Sequence, residues 1–131
     1  MKTINGACVA FATLFGLLTL PAMADVKDYE FRLVQNQVKK GDGAIVAVRL
    51  VHKKTGKAVP DAVIFAKRID MAPDGMPTMD APLEALPSTE PGVYRFKANL
   101  SMAGGWQLSL GAKVQGEEGT VENKLVLKAV P

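Results

Sequence analysis

The chain has 131 residues, a formal net charge of +3 and 22% charged residues. Its basic residues are scattered and lie mostly beside turn residues, so the chain lacks the clustered basic face that a nucleic-acid-binding protein needs. We therefore expect no nucleic-acid partner. Hydrophobic residues make up 48% of the chain, which is enough for the single core of one domain.

Residues 1–24 have the three-part pattern of a secretory signal peptide. Lys2 provides a positive start, residues 7–20 are apolar, and residues 22–24 (AMA) fit the small-x-small rule of signal peptidase. The apolar run is shorter than the ~20 residues that a membrane-spanning helix needs, which makes an uncleaved anchor the weaker alternative. The sequence thus predicts a periplasmic protein, soluble after cleavage, whose single domain covers residues 25–131.

The one cysteine, Cys8, lies inside the apolar run and not at its end, where a lipid-modified cysteine would lie. After cleavage the chain would contain no cysteine. A cysteine-free chain excludes disulfides, a thiolate metal site and a cysteine nucleophile, so its stability must come from an apolar core.

The first part of the mature chain alternates between short apolar-polar segments and turn residues. Residues 28–35 alternate apolar and charged side chains, which predicts a half-buried strand. Residues 41–43 (GDG) predict a turn, and the β-branched segment 44–52 predicts a second strand. A third strand is predicted at 61–70, after Pro60.

Residues 71–92 differ in kind because they contain five prolines. Proline lacks a backbone donor and breaks both helices and central strands. The segment therefore predicts a long irregular connection, with one short edge strand near 83–86. Loops longer than ~12–15 residues in a compact domain are usually functional or disordered.

Three more strands are predicted at 93–100, 106–114 and 121–127, the last two joined by a hairpin turn between Gly116 and Gly119. No part of the mature chain has a sustained helical period. Six or seven short strands separated by turns predict an all-β fold, either a β-sandwich or an antiparallel barrel.

Catalytic motifs are missing from the sequence. His52 is the only histidine, and no nucleophile elbow, phosphate-binding glycine loop or zinc motif accompanies it. The acidic pair Asp70 and Asp74 flanks the irregular connection, and solvated surface acids explain it better than a glycosidase pair. We expect a binding protein and not an enzyme.

The methionines are the best candidates for binding chemistry. Four remain in the mature chain, and three of them fall within nine residues of the irregular connection. Thioether sulfur is a soft neutral donor that suits Cu(I). The alternative is that these methionines fill the core or pack the loop onto it, as methionine often does. The candidate metal ligands are Met71, Met76, Met79 and Met102.

Two other residues are weaker candidates. His52 could complete a methionine site because imidazole is a common copper ligand, but a surface position at the end of a strand is the alternative. Trp106 could cover a metal ion through a cation–π contact. Its apolar strand neighbours favour a core position instead.

Three stretches resemble the FixH-like and YtkA-like family of small exported or membrane-tethered bacterial domains: 70–76 (DMAPDGM), 91–96 (PGVYRF) and 102–108 (MAGGWQL). The resemblance extends over roughly 29–126. It implies an immunoglobulin-like antiparallel β-sandwich of about seven strands. It also implies copper or heavy-metal handling, in efflux or in delivery to respiratory oxidases. FixH itself keeps a membrane anchor, whereas this chain has a cleavage site.

Carried over by position, the resemblance implies that the four methionines are candidate ligands of a copper ion, with Cu(I) as the expected oxidation state. The expected function is a periplasmic donor or accessory protein that passes the ion to a membrane efflux or oxidase-assembly protein. The alternative is a metal-free interaction module, whose methionine-rich loop would be an adaptable contact surface for a transporter or an exported partner.

The signal-peptide pattern predicts that the exported protein begins at Asp25. Intact-mass measurement of the protein from the periplasmic fraction should give the mass of residues 25–131. Ala24→Arg should block cleavage because signal peptidase needs a small residue there, so this variant should stay in the membrane fraction. A periplasmic protein that begins at Met1 would contradict the prediction.

Overall fold

The computed structural model describes residues 26–131. The signal peptide predicted at 1–24, its cleavage site and Cys8 lie outside the described residues. Nine strands and two short 3-10 helices, Val26–Asp28 and Ala72–Asp74, make up the described chain. The strands are β1 Tyr29–Leu33, β2 Gln37–Lys39, β3 Gly41–His52, β4 Val63–Met71, β5 Met76–Ala81, β6 Leu83–Leu86, β7 Val93–Leu100, β8 Gly104–Lys113 and β9 Val121–Val130. Within 26–131, no helix combines the length and apolar character needed to span a bilayer.

The strands form two sheets that pack face to face. One has the order β2-β9-β8-β4-β5 and the other the order β1-β3-β7-β6. All pairings are antiparallel except that between β2 and β9. The chain changes sheet five times in the described residues: between β1 and β2, β2 and β3, β3 and β4, β5 and β6 (at Pro82), and β7 and β8. The prediction of an all-β, immunoglobulin-like sandwich is confirmed. The structure has two strands more than the seven expected, β2 and β5.

The core forms because alternate residues of the central strands turn inward. In β3, Val46, Val48 and Leu50 are buried while Ile45, Ala47 and Arg49 between them are exposed or half-buried. The largest buried side chains include Trp106 of β8 and Phe96 of β7. Trp106 is only 1% exposed, so the core position favoured by its strand neighbours is confirmed.

The turn predicted at residues 41–43 is wrong. Gly41 begins β3 opposite Leu100, and the register shifts between Gly41 and Ala44. A bulge inserts extra residues without ending a strand, and Gly41 has a φ of 145° that suits such a site. The glycines therefore bend β3 instead of reversing the chain.

The long irregular connection predicted at 71–92 is also wrong in part. It contains β5 and β6, and β6 confirms the short edge strand expected at 83–86. The prolines are tolerated because they lie where the sheets need no donor. Pro77 is in an edge strand, and Pro82 is at the crossing between sheets.

Tyr94 fixes the connection between β3 and β4. Its hydroxyl donates to the carbonyl oxygen of Val59 at 2.7 Å and accepts from the amide of Ala62 at 3.1 Å. Burial raises the pKa of the Tyr94 phenol, and Asp61 raises it further, although the hydrogen bond from Ala62 acts in the opposite direction. One hydroxyl thus satisfies two backbone groups of a loop that has little secondary structure.

Tyr94→Phe should lower the free energy of unfolding by about 1–3 kcal/mol because it leaves both backbone groups without their partner. Urea denaturation measures the change. Tyr29→Phe is the matched control, since the Tyr29 hydroxyl bonds only the flexible carboxylate of Glu117 and that carboxylate can turn to water. Equal losses in the two variants would show that the Tyr94 hydroxyl has no special role.

Candidate functional site

One end of the sandwich brings together two of the stretches on which the family resemblance rests. We call it the methionine end: the last residues of β4, the turn Ala72–Asp74, β5, and the loop 101–103 between β7 and β8. Asp70 of β4 lies opposite Gln107 of β8. Because these strands are antiparallel, the end of β4 lies beside the start of β8.

The two stretches touch through a pair of glycines. The amide of Gly105 donates to a carboxylate oxygen of Asp74 at 3.1 Å. A Cβ on Gly104 would overlap that carboxylate and lie 3.0 Å from the terminal methyl of Met71, and a Cβ on Gly105 would lie 2.9 Å from Pro73 Cβ. Gly104 also has a φ of 142°. Only residues without a side chain allow the turn to lie this close to β8.

A buried carboxylate organises the turn. Asp70 is 5% exposed; one of its oxygens accepts from Arg68 Nε at 2.9 Å and the other accepts from the amide of Ala72 at 2.9 Å. Arg68 also donates to Asp80 at 3.0 Å and to the carbonyl oxygen of Pro77 at 2.7 Å. A buried charge is tolerable when it is paired and hydrogen-bonded, and this network joins β4, the turn and β5.

Sequence reasoning missed this network, because it treated Asp70 and Asp74 as solvated surface acids. That interpretation is wrong for Asp70, which is buried. Asp74 is bonded to Gly105. The available signal was the order Asp70-Met-Ala, since an aspartate side chain often bonds the backbone amide two residues further on.

The four predicted ligands differ in their access to solvent. Met71 is fully buried, Met76 and Met79 are partly buried against the core, and Met102 is 42% exposed. Met76 lies opposite Met71 in the β4–β5 register. The indole nitrogen of Trp106 donates to the carbonyl oxygen of Met102 at 3.0 Å, which anchors the loop while the thioether stays accessible. Met71 and Met76 are thus neighbours in register, Met79 follows in β5, and Met102 lies in the loop before β8.

His52 is at the other end. Its ring meets that of Tyr29 edge to face, with centroids 5.1 Å apart, and its Nδ1 is buried without a hydrogen-bond partner among the described residues. β3 begins opposite Leu100, next to the methionine end, and finishes at His52. At about 3.3 Å per residue, a strand of this length separates the two by on the order of 30 Å. The structure does not bring His52 together with the methionines.

The possible metal ligands at the methionine end include thioether sulfurs. In the part of the chain from 26 to 131, no group of three or more His, Cys, Asp or Glu is arranged to hold a metal ion. The thioethers at this end are soft donors of the kind that suits Cu(I). Met76, Met79 and Met102 fit that role because each has solvent access. Met71 would have to leave the core.

A model of the YtkA-like family matches residues 23–111. The chain belongs to the YtkA-like family. The match includes both stretches that meet at the methionine end, and it confirms the resemblance seen in the sequence. No curated protein matches this YtkA-like chain by sequence.

Two solved structures are similar to this YtkA-like chain. A DUF4426 family protein from Pseudomonas aeruginosa PAO1 has a TM-score of 0.57 and 14% identity, over 79% of this chain and 92% of that protein. The ZirS C-terminal domain has a TM-score of 0.43 and 10% identity, over 92% of this chain and 88% of that domain. The first similarity shows a shared fold.

Gly104→Ala should lower the free energy of unfolding by about 1–3 kcal/mol, because the new methyl would overlap Asp74 and the residue would keep a strained φ. Gly43→Ala is the matched control: a methyl group there would meet no atom within 4 Å, and the φ of Gly43 is not positive. It should change stability by less than about 0.5 kcal/mol. Thermal or urea unfolding measures both variants, and equal stability would mean that the turn does not need the close approach.

Proposed function

We propose that this chain is an exported accessory domain that binds a soft metal ion at the methionine end. The preferred candidate is Cu(I). The domain would pass the ion to a membrane efflux or oxidase-assembly protein in the periplasm, and no catalytic step is involved. Membership of the YtkA-like family and the signal-peptide pattern of 1–24 support an exported accessory role.

The observation that carries the proposal is the convergence of segments that are distant in sequence. β5 pairs with the end of β4, and β8 begins beside it after the loop 101–103; these segments carry the four methionines of the described chain. The Asp70 network and the glycine pair hold these segments in place. A preformed arrangement of this kind lowers the ordering cost of binding.

In this proposal the ion is held by Met76, Met79 and Met102, and Met102 is the point of entry because it is the most exposed of them. Met71 supports the site as a packing residue. Thioethers are neutral, so they bind without releasing a proton, whereas thiolate or imidazole ligands make affinity depend on pH. Neutral soft donors also suit an ion that must be handed on.

A metal-free interaction module is the second candidate, and the complete burial of Met71 favours it. Met71, Met76 and Met79 all pack against the core, which is the ordinary work of methionine in proteins. In that case only Met102 would contact the partner, as an adaptable apolar side chain.

Anaerobic competition titration with Cu(I) under reducing conditions tests the proposal. The exported protein should bind one equivalent, and Met102→Leu or the double variant Met76→Leu/Met79→Leu should weaken binding by at least about 10–100-fold, the cost of losing even an outer contact of a metal site. Met71→Leu is the matched control, because a volume-conserving core substitution costs less than about 1.5 kcal/mol and should leave affinity unchanged.

The outcomes separate the two candidates. Absence of Cu(I) binding in the exported protein would exclude the metal site and leave the interaction module. Binding that survives the triple variant Met76→Leu/Met79→Leu/Met102→Leu would show that the ion is held elsewhere. Binding lost in Met71→Leu, with the fold intact by circular dichroism, would mean that the buried thioether is itself a ligand.

A further inference from the structure

One side of the sandwich has two strand edges without partners. β5 pairs with β4 only at Ile69, Asp70 and Met71. In the described chain, no strand pairs with 63–68 of β4 on the side away from β8. β6 is the last strand of the other sheet and pairs only with β7. Such edges present free backbone donors and acceptors, which can pair with another extended chain.

The two edges border a groove of about 200 Å³ between the sheets. Its apolar lining includes Ile64 of β4 and Leu86 of β6, with Phe96 at its base. Lys67 and Arg95 are the only charged residues among the groove's lining in the described structure, and neither forms an ion pair within 26–131. The groove is therefore apolar with a positive border.

The opposite side of the sandwich is closed by side chains. The amide of Phe31, in edge strand β1, donates to the side-chain oxygen of Asn123 in β9 at 2.8 Å. The Tyr29 hydroxyl donates to Glu117 at 2.9 Å. The first contact joins the two sheets, and the second joins β1 to the loop between β8 and β9. The β1 side of the sandwich is thus bridged by side-chain hydrogen bonds, whereas the β4–β6 side keeps free strand edges.

The free edge of β4 also carries exposed apolar side chains. Val63 is 62% exposed and Phe65 is 56% exposed. The β4 register shifts between Ile64 and Ala66, and the bulge turns the Phe65 ring outward over Gly111, where an added Cβ would lie 3.2 Å from the ring. Bulges commonly re-aim a side chain at functional positions. Val63 thus offers an exposed apolar side chain at this edge, while the Phe65 ring lies on the β8 side.

We propose that the edge of β4 at 63–68 accepts an extended segment of a partner protein by strand addition, and that this segment carries apolar side chains and carboxylates. Backbone pairing would give affinity, and the groove would select apolar side chains. Carboxylates would complement Lys67 and Arg95. A second copy of this chain fits less well, because its own 63–68 edge holds no carboxylate and would add another Lys67, and like charges close together are unfavourable.

The test uses a short capped peptide of alternating valine and glutamate. A peptide of the same length with lysine in place of glutamate is the control. Both are titrated into the isotope-labelled exported protein, and binding is followed through backbone amide NMR shifts and fluorescence anisotropy. The valine-glutamate peptide should bind saturably, shift the amides of 63–68 and slow their hydrogen exchange. The valine-lysine peptide should bind at least about tenfold more weakly, as expected for two charge pairs at a rim.

A charge reversal provides the specificity control. Lys67→Glu/Arg95→Glu should invert the preference, so that the valine-lysine peptide binds about tenfold more tightly than the valine-glutamate peptide. Lys39→Glu/Lys128→Glu makes the same change in net charge on the distant β2–β9 side. This variant should still prefer the valine-glutamate peptide. The quadruple methionine-to-leucine variant should also bind the acidic peptide, because this edge is independent of the metal proposal.

Three results would overturn the inference: no saturable binding of either peptide, shifts confined to residues outside 62–68 and 83–96, or a preference that both charge variants leave unchanged. Dimerisation of the free protein through the β4 edge, detected by light scattering and the same amide shifts, would also overturn it in favour of a second copy.

Discussion

The carboxylate of Asp70 is the constraint on which the methionine end depends. It is buried, so it must have partners, and the geometry satisfies it with the Arg68 side chain on one side and the Ala72 amide on the other. The first contact joins β4 to β5 through the further bonds of Arg68. The second bends the chain into the turn that lies on Gly104 and Gly105. The paired carboxylate therefore reinforces the backbone pairing of β5 with β4 and the bond between Asp74 and Gly105.

The β-sandwich could be predicted because side chains alternate in strands that have one buried face. β3, β7, β8 and β9 follow this pattern with little interruption, and their predicted limits agree with the structure to within a few residues. β5 could not be predicted in this way. It pairs with β4 at only three positions across an irregular register, and its proline is allowed only because it is an edge strand. Sheet position, which decides whether proline is acceptable, is not a local property of the sequence.

The sequence shows which segments carry the candidate ligands but not how exposed their side chains are. Met71, Met76 and Met79 are close together in the chain, and Met102 follows in a later loop. Their burial could not be read from spacing, because it depends on how the turn settles on a glycine pair some thirty residues away. The position of His52 could not be predicted for a similar reason. The sequence places His52 at the end of a strand, but it does not show at which end of the sandwich that strand finishes.

The graded exposure of the methionines has a consequence for chemistry in an oxidising compartment. Methionine sulfoxide is polar, and its formation in a core disrupts packing. Met102 is open to solvent while Met71 has no exposed surface, so an oxidant would reach the outermost thioether long before the one that supports the fold. Damage would then remove a soft donor while the sandwich stayed intact. Since sulfoxide reductases reverse this modification, the arrangement would make any loss of metal affinity repairable without refolding.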